Sequence, residues 1–187
     1  MKYLLDGQET ARLKFRKLTR DDFMIWMDLF KDNRTGGFLG MANIPSAEEQ
    51  CEKWFSICEH RYSKDLGGMN VLIDKKSNLF IGQCGLLIQE VDNIQEMEIG
   101  YSILPAYRNL GYATEAAKKC RDFAFMQSFS TSIISIIHID NIQSEKVAMK
   151  NGMIKTRQTI YKEMPVNIYR IYKSEWINIQ ASEASYL

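Results

Sequence analysis

The residues with the clearest capacity for chemistry lie where an apolar segment gives way to an alanine-rich one. The run from Glu98 to Ile103 is followed by Pro105 and then by Arg108-Asn-Leu-Gly-Tyr-Ala113. A glycine-containing turn at the start of a helix offers unpaired backbone N–H groups, and the helix dipole adds partial positive charge there. Gly111 has no Cβ to obstruct a group that approaches the backbone, and Arg108 supplies a charged donor. The pattern therefore predicts a site for phosphate oxygens.

An ordinary loop with a glycine before a helix is the simpler alternative for this turn. The strand-like segment before the turn and the small residues Ala113, Ala116 and Ala117 after it favour phosphate binding. Neither the Gly-x-x-x-x-Gly-Lys-Ser/Thr pattern of P-loops nor the Gly-x-Gly-x-x-Gly pattern of dinucleotide-binding folds occurs in the chain. The two best-known phosphate loops are therefore excluded.

The composition indicates one soluble globular domain. The chain has 187 residues, of which 45% are hydrophobic and 25% charged, and its net charge is +1. Such a balance gives no electrostatic case for nucleic acid or a membrane surface, and no apolar run reaches transmembrane length. The four cysteines form no C-x-x-C pair and there are two histidines, so no metal site is predicted. A Cys–His catalytic pair is a minor alternative, and a reduced, cytoplasmic protein is expected.

The hydrophobic periodicity predicts seven strands and four helices. The strands are predicted at 12–17, 69–73, 78–89, 96–103, 133–139, 154–161 and 166–173. The first helix is predicted to begin at Thr19, with Asp22 in its first turn, and the second at a capping box formed by Ser46 and Glu49. The third begins at Gly111 and the fourth at Asn141. The segment 32–45 contains three glycines and is predicted to be a mobile loop, and both termini are predicted to be weakly attached.

This order of elements, together with the Arg-x-x-Gly-x-Ala turn, resembles the GCN5-related N-acetyltransferases (the GNAT family). The resemblance implies an α/β (α+β) fold with a central, mixed, mostly antiparallel seven-stranded sheet flanked by four helices. It covers one domain, residues 10–176, with 1–9 and 177–187 as terminal extensions. Four patches are similar to the ribosomal-protein branch of RimJ and RimL type: Arg12–Thr19, Phe80–Leu86, Asn141–Ser144 and Gly152-Met153.

The resemblance also implies acetyl-CoA as the co-substrate and no metal. The pantetheine arm would pair with the backbone of Tyr101, Ser102 and Ile103. The diphosphate would be held by the turn, whose implied binding residues are Arg108, Asn109, Leu110, Gly111, Tyr112, Ala113 and Thr114. Asn141 matches a family position whose side chain bonds the pantetheine, and an asparagine is equally suited to cap the helix that begins there.

The implied general base is Glu98, which would take a proton from the amine directly or through water. Its pKa should then be raised by partial burial. The alternative is that Glu98 is simply a polar residue of an alternating strand. The family often has a tyrosine seven residues after the asparagine as the acid that protonates the thiolate. That position is Ala148 here, so Ser144 or water would have to act instead.

The implied function is transfer of the acetyl group of acetyl-CoA to a primary amine by direct attack in a ternary complex, in a monomer or homodimer. The amine belongs to a protein N-terminus or a small molecule. Its groove would be walled by the segments 32–45 and 161–169, which carry no concentrated acidic cluster and so disfavour an aminoglycoside. Two alternatives use the same turn. One is a non-catalytic acyl-CoA-binding or regulatory module, which Ala148 favours, and the other is a nucleotide- or phosphate-sugar-binding protein.

Overall fold

A mixed sheet of seven strands organises residues 1–184, the part of the chain that the computed structural model describes. The strands are β1 Leu13–Lys17, β2 Gly67–Asp74, β3 Phe80–Val91, β4 Ile94–Ile103, β5 Ser132–His138, β6 Ile154–Tyr161 and β7 Met164–Tyr172. Their spatial order is β1-β2-β3-β4-β5-β7-β6. Neighbouring strands are antiparallel, except that β4 and β5 are parallel. The predicted mixed, mostly antiparallel sheet is confirmed.

Six α-helices accompany the sheet within the described residues, where four were predicted. They are α1 Phe23–Met27, α2 Asn33–Phe38, α3 Ala47–Ser63, α4 Tyr112–Met126, α5 Ile142–Lys150 and α6 Lys173–Ala184. The four predicted helices correspond to α1, α3, α4 and α5. The helix α2 lies inside the segment that was predicted to be a loop, and α6 replaces most of the predicted C-terminal tail.

The predicted helix start at Ser46 and the reversal between β3 and β4 both depend on local interactions. Ser46 accepts a hydrogen bond from the N–H of Glu49 at 3.2 Å, and the Glu49 carboxylate accepts from the N–H of Ser46, so the capping box is formed. Asp92 and Asn93 both have positive φ between β3 and β4. That conformation is the one a two-residue hairpin turn requires.

The two faces of the sheet bury separate cores. On one face, α4 presents the small residues Ala116, Ala117, Cys120 and Ala124, all fully buried, so the helix lies close to the sheet. On the other face, α1 and α3 pack an aromatic cluster against the sheet, in which the ring of Trp26 stacks on Phe80 at 5.6 Å. The sheet is therefore stabilised by a packed core on each face.

Both termini are packed against the domain, so the prediction that they are weakly attached is wrong where the structure describes them. Leu5 is fully buried and its N–H donates to the side-chain oxygen of Asn70 at 3.1 Å. In α6, the indole N–H of Trp176 donates to Asp122 at 2.8 Å, and its ring contacts Phe125. The last three positions of the predicted C-terminal extension, 185–187, lie outside the described residues.

Candidate active site

A cleft opens between β4 and β5, the parallel pair at the centre of the sheet. The two strands are paired at a single position, Glu98 with Ile134, and the hydroxyl of Ser135 donates to the carbonyl of Ile99 at 2.9 Å just beyond it. After this point the last residues of β4, Tyr101 to Ile103, pair with β3 alone. Their free backbone edge faces the cleft, as expected of a strand that receives an extended ligand.

The predicted phosphate-binding turn lies at the end of this free edge. Asn109 and Gly111 both have left-handed backbone conformations, with φ of 63° and 84°. None of the six backbone N–H groups from Asn109 to Thr114 donates a hydrogen bond to any described part of the chain. Alternating backbone conformations of this kind make a concave group of N–H donors that binds anions, and α4 adds its positive dipole end. The turn thus has the backbone geometry of an anion-binding site.

An arginine that the sequence analysis did not single out lies on this turn. Arg12, at the start of β1, donates to Glu115 at 2.6 Å and to the carbonyl of Leu110 at 3.0 Å. Its guanidinium lies 4.3 Å from the centre of the Tyr112 ring, and one of its nitrogens lies 3.3 Å from where a Cβ on Gly111 would be. Arg12 therefore places a positive charge against the turn. Because Arg12 precedes Gly111 by 99 residues, no local sequence pattern indicated that it lies on the turn.

Arg108 points elsewhere, so the geometry does not support its predicted role as a donor to the anion. Its Nε donates to the carbonyl of Ile103 at 3.1 Å. Its two terminal nitrogens donate to Asp32 and to the hydroxyl of Thr35, both at 3.2 Å. The side chain thus joins the phosphate turn to α2 rather than adding charge to the turn.

Glu98 lies at the closed end of the cleft, with its side chain on the face covered by α3. The amide of Gln89 donates to its carboxylate at 2.7 Å. Burial raises the pKa of Glu98 above its ordinary value, although this amide, the N–H of Ile136 and the charge of Arg61 act in the opposite direction. The direction matches the predicted property of a buried base, because a carboxylate with a raised pKa binds a proton more readily at neutral pH.

The start of α5 forms the other side of the cleft. The side-chain oxygen of Asn141 accepts a hydrogen bond from the N–H of Ser144 at 3.2 Å, so Asn141 is the N-cap of the helix and its amide nitrogen stays available as a donor. The phenol of Tyr101 reaches across from β4 and donates to the carbonyl of Ser144 at 2.6 Å. Ala148 is fully buried in the core, so no proton donor stands at that position.

Of the segments predicted to wall the acceptor groove, 161–169 lies near Glu98, since the charge of Lys162 acts against the burial that raises the pKa of Glu98. The ring of Phe38 in α2 lies 5.4 Å from the ring of His138 at the end of β5. A cavity of about 450 Å³ is lined by residues including Gln89, Tyr161 and Lys162. Gln89, which also donates to Glu98, is the residue that joins the lining of this cavity to the buried carboxylate.

Other site classes find no support in residues 1–184. No three His, Cys, Asp or Glu side chains in this range are arranged to hold a metal ion. The helices in the same range are all too short or too polar to cross a membrane. The thiols of Cys51, Cys58, Cys84 and Cys120 are free and buried, as expected of core residues.

The comparisons with known proteins agree with this geometry. A sequence model of the acetyltransferase (GNAT) domain family matches residues 12–154, more than half of the chain. The uncharacterised protein YkkB of Bacillus subtilis (strain 168) is 34% identical over 161 residues, which cover 86% of this chain and 92% of YkkB.

Two solved structures are similar in fold. An acetyltransferase from Agrobacterium tumefaciens str. C58 has a TM-score of 0.74 at 22% identity, over 88% of this chain and 93% of that one. A spermidine N-acetyltransferase from Vibrio cholerae, in complex with CoA and spermine, has a TM-score of 0.70 at 15% identity. The match covers 90% of this chain and 99% of that one. The chain belongs to the GNAT acetyltransferase family and is an acetyl-CoA-dependent acyltransferase.

Proposed function

We propose that the protein is an N-acetyltransferase that acts on a primary amine, either a protein N-terminus or a small molecule, by direct attack in a ternary complex. The observation that carries the proposal is the order of three features along one strand and the turn that follows it. They are the buried carboxylate of Glu98 in β4, the edge of β4 from Tyr101 to Ile103 that pairs with β3 alone, and the six free N–H groups of Asn109 to Thr114. These are the positions that a long, phosphate-bearing thioester and an amine-activating base need.

The residues of the cleft fit acetyl-CoA in three respects. The N–H groups from Asn109 to Thr114 would bind the diphosphate, and the backbone of Tyr101, Ser102 and Ile103 would pair with the pantetheine amides. The free amide nitrogen of Asn141 would donate to the same arm. When bound, acetyl-CoA supplies the thioester carbonyl that the amine attacks.

Glu98 would take the proton that the amine must lose before or during attack. Its raised pKa suits the task, and the hydrogen bond from Gln89 fixes the carboxylate toward the cavity. A backbone N–H near Ile103 would stabilise the developing oxyanion, a donor typically worth about 3 kcal/mol. Ser144, whose hydroxyl has no partner within residues 1–184, is the candidate to return a proton to the leaving thiol.

The amine would enter between the segments 32–45 and 161–169, the predicted walls of the acceptor groove. Three narrower assignments stay predictions: the RimJ/RimL-type branch, the cytoplasmic compartment, and a monomeric or dimeric state. The sequence patches of that branch support a protein N-terminus as the acceptor. The spermidine enzyme from Vibrio cholerae shows that a similar fold also serves a small polyamine.

A non-catalytic acyl-CoA-binding module is the second candidate, and one observation favours it. Ala148, at the position of the family's tyrosine, is buried and offers no acid. Such a module would bind acetyl-CoA through the same turn without consuming it. Glu98 argues against a non-catalytic module. Burying a carboxylate lowers the stability of the fold, and a protein that only binds acetyl-CoA does not need one there.

Calorimetry with acetyl-CoA, with 3′,5′-ADP and desulfo-CoA as controls, tests the cofactor. Release of CoA thiol is then followed with spermidine and with a peptide that has a free N-terminus. Binding of acetyl-CoA followed by amine-dependent release of CoA thiol supports the enzyme. Binding of acetyl-CoA without thiol release, with either amine or with a wider panel of amines, supports the module. Absence of acetyl-CoA binding would overturn both candidates.

A further inference from the structure

The arginine of the phosphate turn is connected to the acceptor wall. Arg108 donates to Asp32 and Thr35, which cap and begin α2, while its Nε holds the carbonyl of Ile103 at the end of β4. Burial acts to raise the pKa of Asp32, but the hydrogen bond from Arg108 and the N–H of Arg34 outweigh it, so the pKa lies below its ordinary value. The carboxylate is therefore charged and paired with Arg108 at neutral pH.

The segment that Arg108 holds crosses the open end of the cleft. It begins at Asp32, which Arg108 joins to the carbonyl of Ile103 in β4, and reaches β5, where the ring of Phe38 lies 5.4 Å from the ring of His138. Beyond α2, a Cβ on Gly40 would lie 3.2 Å from the terminal methyl of Met164 in β7. The segment 32–40 thus contacts β5 and β7 directly and is joined to β4 through Arg108.

The segment has little structure of its own without these contacts. The helix α2 is six residues long and contains Gly36 and Gly37. Helices shorter than about 12 residues are marginal in isolation, and each interior glycine costs about 1 kcal/mol relative to alanine. Its order therefore depends on tertiary anchors, of which Arg108 is the charged one at its N-terminal end.

We propose that Arg108 is a positioning residue that holds the segment 32–40 over the cleft as the wall of the acceptor site, and that Arg12 is the arginine that serves the bound phosphates. This inference rests on the proposed function, because it assumes that the turn binds acetyl-CoA and that the amine enters under the segment. It assigns the two arginines near the turn to two different substrates. Arg12 lies beside Gly111, whereas Arg108 bonds Asp32 and Thr35.

A matched pair of substitutions, Arg108→Met and Arg12→Met, separates the two roles. Hydrogen–deuterium exchange of amides 33–40 reports the segment without any acceptor, and calorimetry reports acetyl-CoA affinity. In Arg108→Met we expect exchange of these amides to become at least tenfold faster, with the Kd for acetyl-CoA within twofold of wild type. In Arg12→Met we expect the Kd to rise at least fivefold with exchange of 33–40 unchanged.

Asp32→Asn provides a second variant at the far end of the contact, and it leaves the phosphate turn intact. Asparagine retains the helix cap but loses the charge, so exchange of 33–40 should rise as in Arg108→Met, and the double variant should add little. The inference is overturned if Arg108→Met weakens acetyl-CoA binding as Arg12→Met does, or if exchange of 33–40 stays at the wild-type rate in both Arg108→Met and Asp32→Asn. Wild-type protein that bound no acetyl-CoA would remove the proposed function instead, and the exchange rates would still decide whether Arg108 holds the segment.

Discussion

Substitution of Gly111 tests the phosphate-binding turn, because the structure separates its effect on folding from its effect on binding. Gly111 has φ of 84° and ψ of −2° at the N-cap of α4. A residue with a Cβ loses about 1–2 kcal/mol in this left-handed region. The neighbour that a Cβ meets is the flexible end of Arg12, at 3.3 Å, which adds little. For a chain of this size the melting temperature of Gly111→Ala should fall by about 2–8 °C.

Gly7 is a matched control for that backbone cost. Its φ is 76°, and nothing lies within 4 Å of where its Cβ would be. Gly7→Ala should therefore lose a similar amount of stability while leaving the cleft unchanged. Any difference in acetyl-CoA affinity between the two alanine variants then belongs to the turn and not to general strain.

The expected loss of affinity increases with charge. Gly111→Ala adds a methyl group where phosphate oxygens approach, and we expect the Kd for acetyl-CoA to rise less than tenfold. In Gly111→Asp a negative charge about 5 Å from the diphosphate, at an effective dielectric of about 20, costs roughly 3 kcal/mol. That cost corresponds to a rise of roughly 200-fold in the Kd.

Calorimetry at fixed ionic strength measures these affinities, and thermal melting confirms that each variant is folded. The reasoning is refuted if folded Gly111→Asp binds acetyl-CoA as tightly as Gly7→Ala. In that case the six free N–H groups do not hold the diphosphate.

Three further predictions follow from the site and the core. Glu98→Gln should lower turnover by about 10²–10⁴ with unchanged acetyl-CoA affinity, and equal turnover would exclude Glu98 as the base. Burial raises the pKa of Glu98 above its ordinary value of 4.5, so its carboxylate form is destabilised in the folded protein. The folded protein therefore loses stability as the pH rises from 4.5 through the folded-state pKa. Above that pKa, Glu98→Gln should melt at a higher temperature than wild type. Asn141→Ala should lose about 1 kcal/mol of cap stability in urea denaturation, whereas Asn141→Asp keeps the cap but replaces the amide donor with a carboxylate. Both should bind acetyl-CoA more weakly, and wild-type affinity in Asn141→Asp would remove the amide from the site. Burial raises the pKa of Cys51 and Cys58 to about 12, so neither thiol should react with iodoacetamide at pH 8 until the protein is unfolded, as mass spectrometry would show.

Much of the fold could be predicted from the sequence because its signals are local. Strand alternation, the capping box at Ser46 and the turn at Asp92-Asn93 each depend on residues a few positions apart. The same holds for the phosphate turn, where the left-handed conformation of Gly111 and the helix start beside it are properties of one short segment. The terminal helix α6 was missed because Trp176 is held by Asp122, which is 54 residues away.

The short helix α2 was missed for a related reason. Gly36 and Gly37 predict a loop by propensity, and the helix exists because tertiary contacts hold it. The buried environment of Glu98 could be anticipated from its strand. Its partners Gln89 and Ile136 come from neighbouring strands and could not.

The sequence by itself determined the order of the elements, the presence of an anion-binding turn and the acidic residue in the strand before it. Tertiary structure alone decided which charged side chain lies against the turn. Arg108 lies in the turn by sequence but bonds Asp32, which is 76 residues away, while Arg12 reaches the turn through Glu115, which is 103 residues away. The physical reason is that backbone conformation is set by neighbours along the chain. The direction of a long charged side chain is set by the partners that folding brings within hydrogen-bonding distance.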